Sequence, residues 1–566
     1  MKHLLTLFIA LWAFSGFAQK SLPVEVVKSI EERIANGYSP SIAIGVIDKD
    51  GPQYYFFGAK TAGGQPVNEH TIYEIGSISK VFTGILLAQK VVDGQMKTED
   101  PAQKYLPASV ALPTRDGKQI TLGHLSDHTS ALARMPTNFT PKDPANPYAD
   151  YTVEQMYAFL KGYTLPRDIG AQYEYSNLAQ GLLGHILSLQ AGSSYEELMI
   201  RNIAAPLGMK ETKITFDEKM KQNLAMGYSQ GVQVSNWDIP TLAGAGAIRS
   251  SVHDMLIFLS ANLGLKTSAL YPAMQLSHQA RHDKPGGGMR VGLGWHIAKG
   301  AEGDVIWHNG GTGGYRTFAG FVKETGKGVV VLTNSDKGAD DLGFRLLNPA
   351  AKLIEVKKSA LAEIRKTLDA QGVDAAWQTY EKLKNDLSYS LGEDECNTLG
   401  YAYLEGGNTK AAVVLFKINV TAFPKSANAY DSYGEALMKD GQKEAAIANY
   451  KKSLELNPGN ANAVDMLTKM GVEVKTDVFR VEESVLETYV GVYELAPNFT
   501  ITVTRQGAQL FGQATGQGPF EMFAKSNTEF FLKVVEAQVT FSVQDGKVES
   551  MTLFQGGQAI PGKKIK

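Results

Sequence analysis

The chain has 566 residues, 43% of them hydrophobic and 20% charged, with a formal net charge of −2. That length exceeds what one hydrophobic core organises and points to three or four ordinary globular domains. The near-neutral balance and the lack of a basic stripe exclude an electrostatic case for nucleic acid or an anionic membrane as partner.

In chain order, Lys2 precedes an apolar run over 4–14, and Gly16-Phe17-Ala18 puts small residues at a cut after Ala18. Residues 1–18 read as a secretory signal peptide, since the run is shorter than the ~20 residues a spanning helix needs. A periplasmic or secreted protein follows, with no membrane span after cleavage. Residues 23–36 then read as a helix, 42–47 as a buried strand, Asp48-Lys49-Asp50-Gly51 as a hairpin turn and 54–57 as the returning strand. At the far end 305–308, 318–322 and 328–333 read as three more strands. Strands at both ends with helices between predict one α+β domain over 22–355, its sheet closed by its first and last segments.

Residues 358–475 are helical and carry a repeat: Gly400, Gly407, Ala411, Phe416 and Pro424 recur as Gly434, Gly441, Ala445, Tyr450 and Pro458. The period of 34 residues in these positions resembles the tetratricopeptide repeat, and the segment around 360–387 reads as a degenerate third copy. So few repeats are expected to pack or space rather than to bind, with a protein partner left as the alternative. The single cysteine, Cys396, lies here; it can form no internal disulfide and reads as a small buried apolar residue. From 480 to 566, short alternating strands at 489–493, 501–503, 530–535, 539–543 and 548–553, with turns at Gln506-Gly507 and Asp545-Gly546, predict a small antiparallel barrel-like domain.

Three segments of the first domain carry chemistry. Ser77-Ile78-Ser79-Lys80 leads into an apolar helix, so Lys80 shares a face with Ser77 and can reach its hydroxyl. A serine at a helix start also has free backbone N–H groups nearby, which suits an oxygen that must carry negative charge and then an acyl group. Tyr175-Ser176-Asn177 puts a proton carrier and a hydrogen-bonding amide on one side of a loop that caps the helix after it. Trp307-His308-Asn309-Gly310-Gly311 ends a strand in a histidine and then in glycines that let a substrate backbone approach. There is no phosphate-loop pattern, no Gly-x-Ser-x-Gly elbow around Ser77 and no His-Glu-x-x-His. His124/His128 and His278/His282 have the spacing of helix metal ligands but no further ligand cluster, so neither metal nor cofactor is expected.

Together, Ser77-x-x-Lys80, Tyr175-x-Asn177 and His308-x-Gly310 resemble the serine β-lactamase and D,D-peptidase superfamily in its class C-like branch. Leu125-Ser-Asp-His-Thr-Ser-Ala-Leu, Pro206-Leu-Gly-Met and Gly292-Leu-Gly-Trp295 support the match. One departure is Ala131, where the family pattern expects glycine. The C-terminal domain resembles the lipocalin-like module found behind some related hydrolases. The resemblance implies a sheet flanked by a helical lobe with the nucleophile between them. It also implies acylation of Ser77, with the N–H groups of Ser77 and Gly311 as oxyanion hole. Asn177 would hold the substrate amide, and His308 would orient substrate or assist the proton relay. Tyr175, its pKa lowered beside Lys80, is expected to take the serine proton, with Lys80 as the other candidate base. Histidine in the third motif tilts the expectation toward peptidase or esterase action on D-amino-acid or cell-wall-type peptides. A dedicated β-lactamase is one alternative and an inactive partner-binding protein another. Arg316 could pair with a substrate carboxylate, although an exposed structural arginine is the simpler reading.

Overall fold

The computed structural model describes residues 20–565 except 62, 230, 284–287, 473–480, 497–498, 508, 516–519, 525, 533–536, 545–546 and 556–557. The segment read as a signal peptide and the Asp545-Gly546 turn lie outside the described residues.

Helix α1 (Val24–Ala35) begins at Pro23 and buries Val26 and Ile30, four residues apart, against a sheet. Strands β1 (Ser41–Asp48) and β2 (Gly51–Gly58) form the expected hairpin. Next come the helices α2 (Ser79–Val92), α3 (Asn177–Ala191) and α4 (Val252–Leu263). They are followed by β3 (His282–Asp283), β4 (Met289–Val291), β5 (His296–Lys299), β6 (Asp304–Gly311), β7 (Arg316–Val322) and β8 (Lys327–Thr333), and then by α5 (Asp340–Leu347). The antiparallel order is β2-β1-β8-β7-β6-β5-β4-β3, so the first hairpin docks on the last strand, Ile42 opposite Thr333 and Ile47 opposite Gly328.

Strand β1 is apolar on both faces because both faces are covered. On one side α1 and α5 close a core around Val26, Ile44, Phe318 and Leu342. On the other, α4 packs so near that a Cβ on Gly45 would lie 2.7 Å from Leu256. The same core runs on into the helical lobe of α2 and α3.

The helical region holds α6 (Ala360–Gln371), α7 (Val373–Leu383), α8 (Glu393–Glu405), α9 (Thr409–Ala422), α10 (Ala427–Lys439), α11 (Lys443–Leu456) and α12 (Ala461–Lys469). Gly400 and Gly434 recur because each faces an aromatic ring of the next helix, Phe416 or Tyr450, at 2.6 and 3.0 Å from a built Cβ. The segment around 360–387 is two helices broken at Gly372, whose φ is +90°. It shares a core with the first repeat through Ile364, Tyr380, Leu399 and Leu415, and Cys396 is buried there.

The C-terminal domain is a closed barrel of eight antiparallel strands between Gly491 and Lys564. Tyr489, expected to open a strand, instead ends helix α13 (Glu483–Tyr489) and stacks on Phe541 at 4.3 Å. Strands Gln509–Ala514, Phe520–Ala524 and Gln558–Lys564 were not anticipated. Gly512, Pro561 and Gly562 inside two of them disguise the pattern.

Candidate active site

The turn before α2 is held by close backbone packing. Ile72–Glu74 pairs with Arg249–Ser251, and the chain then turns through Gly76 at φ +51°. That conformation favours glycine, and a Cβ at Gly76 would lie 2.7 Å from the nitrogen of Gly311. A Cβ on Gly310 would lie 1.9 Å from the carbonyl oxygen of Ile75, which also accepts a hydrogen bond from Thr317 Oγ1 at 3.0 Å. The glycines of β6 therefore lie directly against the turn that carries Ser77. The motif sits inside β6, which runs on through Gly311, rather than just beyond a strand end.

Lys80 is fully buried, and its Nζ donates to Ser77 Oγ at 3.0 Å and to the carbonyl of Ala245 at 2.6 Å. Burial, reinforced by the positive field of Arg134, holds this amine well below the usual lysine range. Nζ also lies 4.8 Å from the centroid of the Tyr175 ring. Burial pushes the Tyr175 hydroxyl above the usual tyrosine range, while its hydrogen bond with Ser77 and the field of Arg134 act the other way. The expected lowering of Tyr175 is therefore reversed: a desolvated phenol resists ionising, and an amine held low supplies little positive field to compensate. The proton-accepting atom that this geometry favours is the lysine nitrogen.

Residues 127–135 position the second motif. Ser176 donates its N–H to His128 Nδ1 at 3.1 Å and its hydroxyl to the Ala133 carbonyl at 2.7 Å, while its Oγ caps α3. The Asn177 N–H donates to the carbonyl of Arg134 at 3.0 Å, and Asn177 Nδ2 lies 3.6 Å from Met135 Sδ. His128 and Ala131 hold φ of +63° and +62°, the left-handed region. The glycine that the family pattern expects at 131 has its reason there, and alanine adopts the same backbone at a cost of about 1 kcal/mol.

His308 is fully buried; its Nδ1 meets the carbonyl of Asn309 at 2.5 Å, and no partner for Nε2 occurs among the described residues. Its ring stacks on His296 at 4.7 Å and lies 6.2 Å from the ring of Tyr175. Burial above all holds it well below the usual histidine range, so it is neutral near pH 7. Arg316 is committed elsewhere: its Nη1 donates to the carbonyls of Thr312 at 2.8 Å and Tyr315 at 2.9 Å, shaping the loop after β6.

Sequence reasoning missed His296, Tyr173 and Arg134. His296 follows the Gly292-Leu-Gly-Trp295 segment, faces Trp307 across the sheet and meets the Tyr173 hydroxyl at 3.0 Å. Only the pairing of β5 with β6 brings it beside His308. Arg134, two residues beyond Leu132, stacks its guanidinium 5.0 Å from the Tyr175 ring centroid. The histidine pairs with metal-like spacing turn to separate partners: His124 caps a helix, His278 bonds Asn262 at 2.9 Å and His282 approaches Asp127 at 3.3 Å. Among the described residues no group of three or more His, Cys, Asp or Glu is gathered as a metal site.

A family model described as Beta-lactamase matches residues 26–352. A tetratricopeptide repeat model matches 427–460, and a domain of unknown function, DUF3471, matches 477–564. A β-lactamase of Escherichia coli K12 is 27% identical over 361 residues, which cover 57% of this chain and 92% of that protein. The D-alanyl-D-alanine-carboxypeptidase/endopeptidase AmpH of the same strain is 30% identical over 310 residues, 52% of this chain and 79% of AmpH. Among solved structures, a β-lactamase/D-alanine carboxypeptidase of Yersinia pestis superposes with a TM-score of 0.50 at 27% identity, covering 55% of this chain and 92% of its own. One from Pseudomonas syringae gives 0.51 at 22% identity over 58% and 98%, a likeness of fold.

Proposed function

The chain belongs to the beta-lactamase family and is a serine hydrolase; from that premise we propose that it is exported and forms an acyl-enzyme on Ser77. Its substrates are amides or esters, foremost D-amino-acid or cell-wall-type peptides. The observation that carries this reading is the fully buried Lys80 amine 3.0 Å from Ser77 Oγ, which no carboxylate among the described residues pairs with to keep it charged.

Ser77 Oγ attacks the substrate carbonyl carbon while its proton passes to the neutral Lys80 nitrogen. The carbonyl oxygen gains the negative charge and is held by the N–H groups of Ser77 and Gly311, a hole in which one lost donor costs ~3 kcal/mol. As the intermediate collapses, the bond to the leaving nitrogen or oxygen breaks. The Tyr175 hydroxyl gives that atom its proton and regains one from Lys80. Water then attacks the ester on Ser77 by the same relay in reverse. Asn177 holds the substrate amide. His308, neutral at working pH, fixes the third-motif strand beside the oxyanion rather than adding a charge. The absence of a third-motif cation supports peptidase or esterase action over dedicated β-lactam hydrolysis.

Export rests on the Lys2, 4–14 and Ala18 pattern. Among the described residues no helix is long and apolar enough to cross a membrane. The deciding measurement is intact-mass analysis of protein and drug after incubation with a penicillin, beside Ser77→Ala. A lasting adduct on wild type alone supports a penicillin-binding peptidase, and opened drug without adduct supports a β-lactamase. If a panel of D-amino-acid amides and aryl esters also yields no acyl-enzyme, the Ser77 assignment falls.

A further inference from the structure

Arg134 is an unspent charge over the active site. Its side chain is exposed, and its guanidinium lies 5.0 Å from the Tyr175 ring centroid. Its field reaches Lys80, Tyr175, Tyr173 and Tyr148, which places it over the cleft rather than out in solvent. No carboxylate pairs with it among the described residues, and stacking on the ring is the interaction it makes. Its guanidinium N–H groups have no hydrogen-bond partner among the described residues and are open to a bidentate acceptor.

The other basic side chains of the cleft are unsuited to that task. Arg316 donates to the Thr312 and Tyr315 carbonyls. Lys80 is fully buried behind Ser77, and His308 is fully buried against His296. Arg134 also marks a side of the cleft, because its own carbonyl receives the N–H groups of Asn177 and Leu178 at 3.0 and 3.3 Å. It therefore belongs to the wall of Asn177.

We propose that Arg134 is a specificity residue forming a carboxylate subsite on the Asn177 wall, selecting substrates whose acyl half carries a carboxylate near the amide that Asn177 holds. This rests on the acyl-enzyme reading of Ser77. The competing role for Arg134, support of the Tyr175 ring alone, makes no distinction between charged and neutral substrates.

Two aryl esters with one leaving group test it, the first with a succinyl-glycyl acyl part ending in carboxylate, the second with the matching carboxamide. Wild type should prefer the carboxylate ester in kcat/KM by about 10- to 100-fold, the range of a charge-assisted hydrogen bond. That ratio should fall as salt is added, which needs no variant. Arg134→Gln should bring the ratio close to one, and Arg134→Lys should restore part of it, since a lysine lacks the two-pronged geometry. A wild-type ratio near one, or an equal loss on both esters in Arg134→Gln, overturns the subsite while leaving Ser77 acylation standing. An ester with its carboxylate on the leaving ring should be insensitive in ratio; if it alone responds to Arg134, the acyl-side assignment is wrong. If no ester is cleaved in a Ser77-dependent way, the acyl-enzyme reading fails first and takes the subsite with it.

Discussion

Glycine does opposite work in the two largest regions of this molecule. In the helical repeats, Gly400 and Gly434 make room for the rings of Phe416 and Tyr450, so glycine serves apolar packing. In the hydrolase domain, Gly76, Gly310 and Gly311 bring backbone against backbone beside Ser77. The buried polar groups differ in kind. Beside an apolar core of Leu399, Leu415, Ile418 and Cys396, the repeats bury neutral groups, among them the Asn419 side-chain amide, which has no partner among the described residues. The cleft at Ser77 instead buries ionisable ones, a lysine without a carboxylate and a histidine whose Nε2 has no partner among the described residues. A buried ionisable group is the costlier kind, and a chain keeps it where chemistry needs it.

The sharpest way to test that division is Ser77→Ala, which should lower turnover by on the order of 10⁴-fold or more without changing the melting temperature appreciably. Retained turnover would mean that the nucleophile lies elsewhere. Gly310→Ala should come next, at roughly 10²-fold in kcat/KM or more. Its methyl would collide with the Ile75 carbonyl and displace the turn that carries Ser77. Gly434→Ala is its control: crowding Tyr450 should cost about 1–3 kcal/mol in denaturant unfolding and leave kcat/KM unchanged. If the two glycine variants behave alike, the regions are not functionally distinct.

Lys80→Met should abolish acylation and yet raise thermal stability, because it removes a buried amine that resists protonation. The sign follows from linkage. Between the lowered pKa of folded Lys80 and the ordinary lysine value of 10.5, the unfolded chain binds a proton that the folded chain does not. The wild type therefore gains stability from this group as pH rises through that window, and the advantage of Lys80→Met shrinks over the same range. Acylation should likewise rise with pH along a limb set by Lys80. Arg134→Gln should move that limb to higher pH by removing a neighbouring positive field. The smallest effect is expected at Ala131→Gly, a gain of about 1 kcal/mol from relief of a left-handed alanine, read by chemical denaturation.

The outline of the hydrolase domain was legible because its edge segments alternate or run apolar over strand lengths and its motifs carry unusual residue types. The pairing of the first hairpin with the last strand followed from strands at both ends of the domain. His296 was not legible, since a lone histidine before an alternating strand says nothing until the register sets it against Trp307. Arg134 was hidden for the same reason: it meets Asn177 through its backbone carbonyl, a contact that leaves no mark on composition. The direction of the Tyr175 shift was misread because the sequence gives neighbours but not burial. In the barrel, Tyr489 belongs to a short helix, because its ring must reach Phe541 and its hydroxyl the Asn527 carbonyl at 2.8 Å.

The seam between β1 and β8 also sets a schedule for synthesis. Ile42 cannot meet Thr333 until the whole helical lobe has left the ribosome. At typical elongation rates of 5–20 residues per second, that is a wait of roughly 15–60 s. During it β1, apolar on both faces, has no partner but the exposed edge of its own hairpin. A nascent chain in that condition holds an apolar strand unpaired along one edge until its last sheet strand arrives. The join that completes the sheet thus doubles as a delay, and a circular permutant that makes β1 and β8 contiguous should fold sooner.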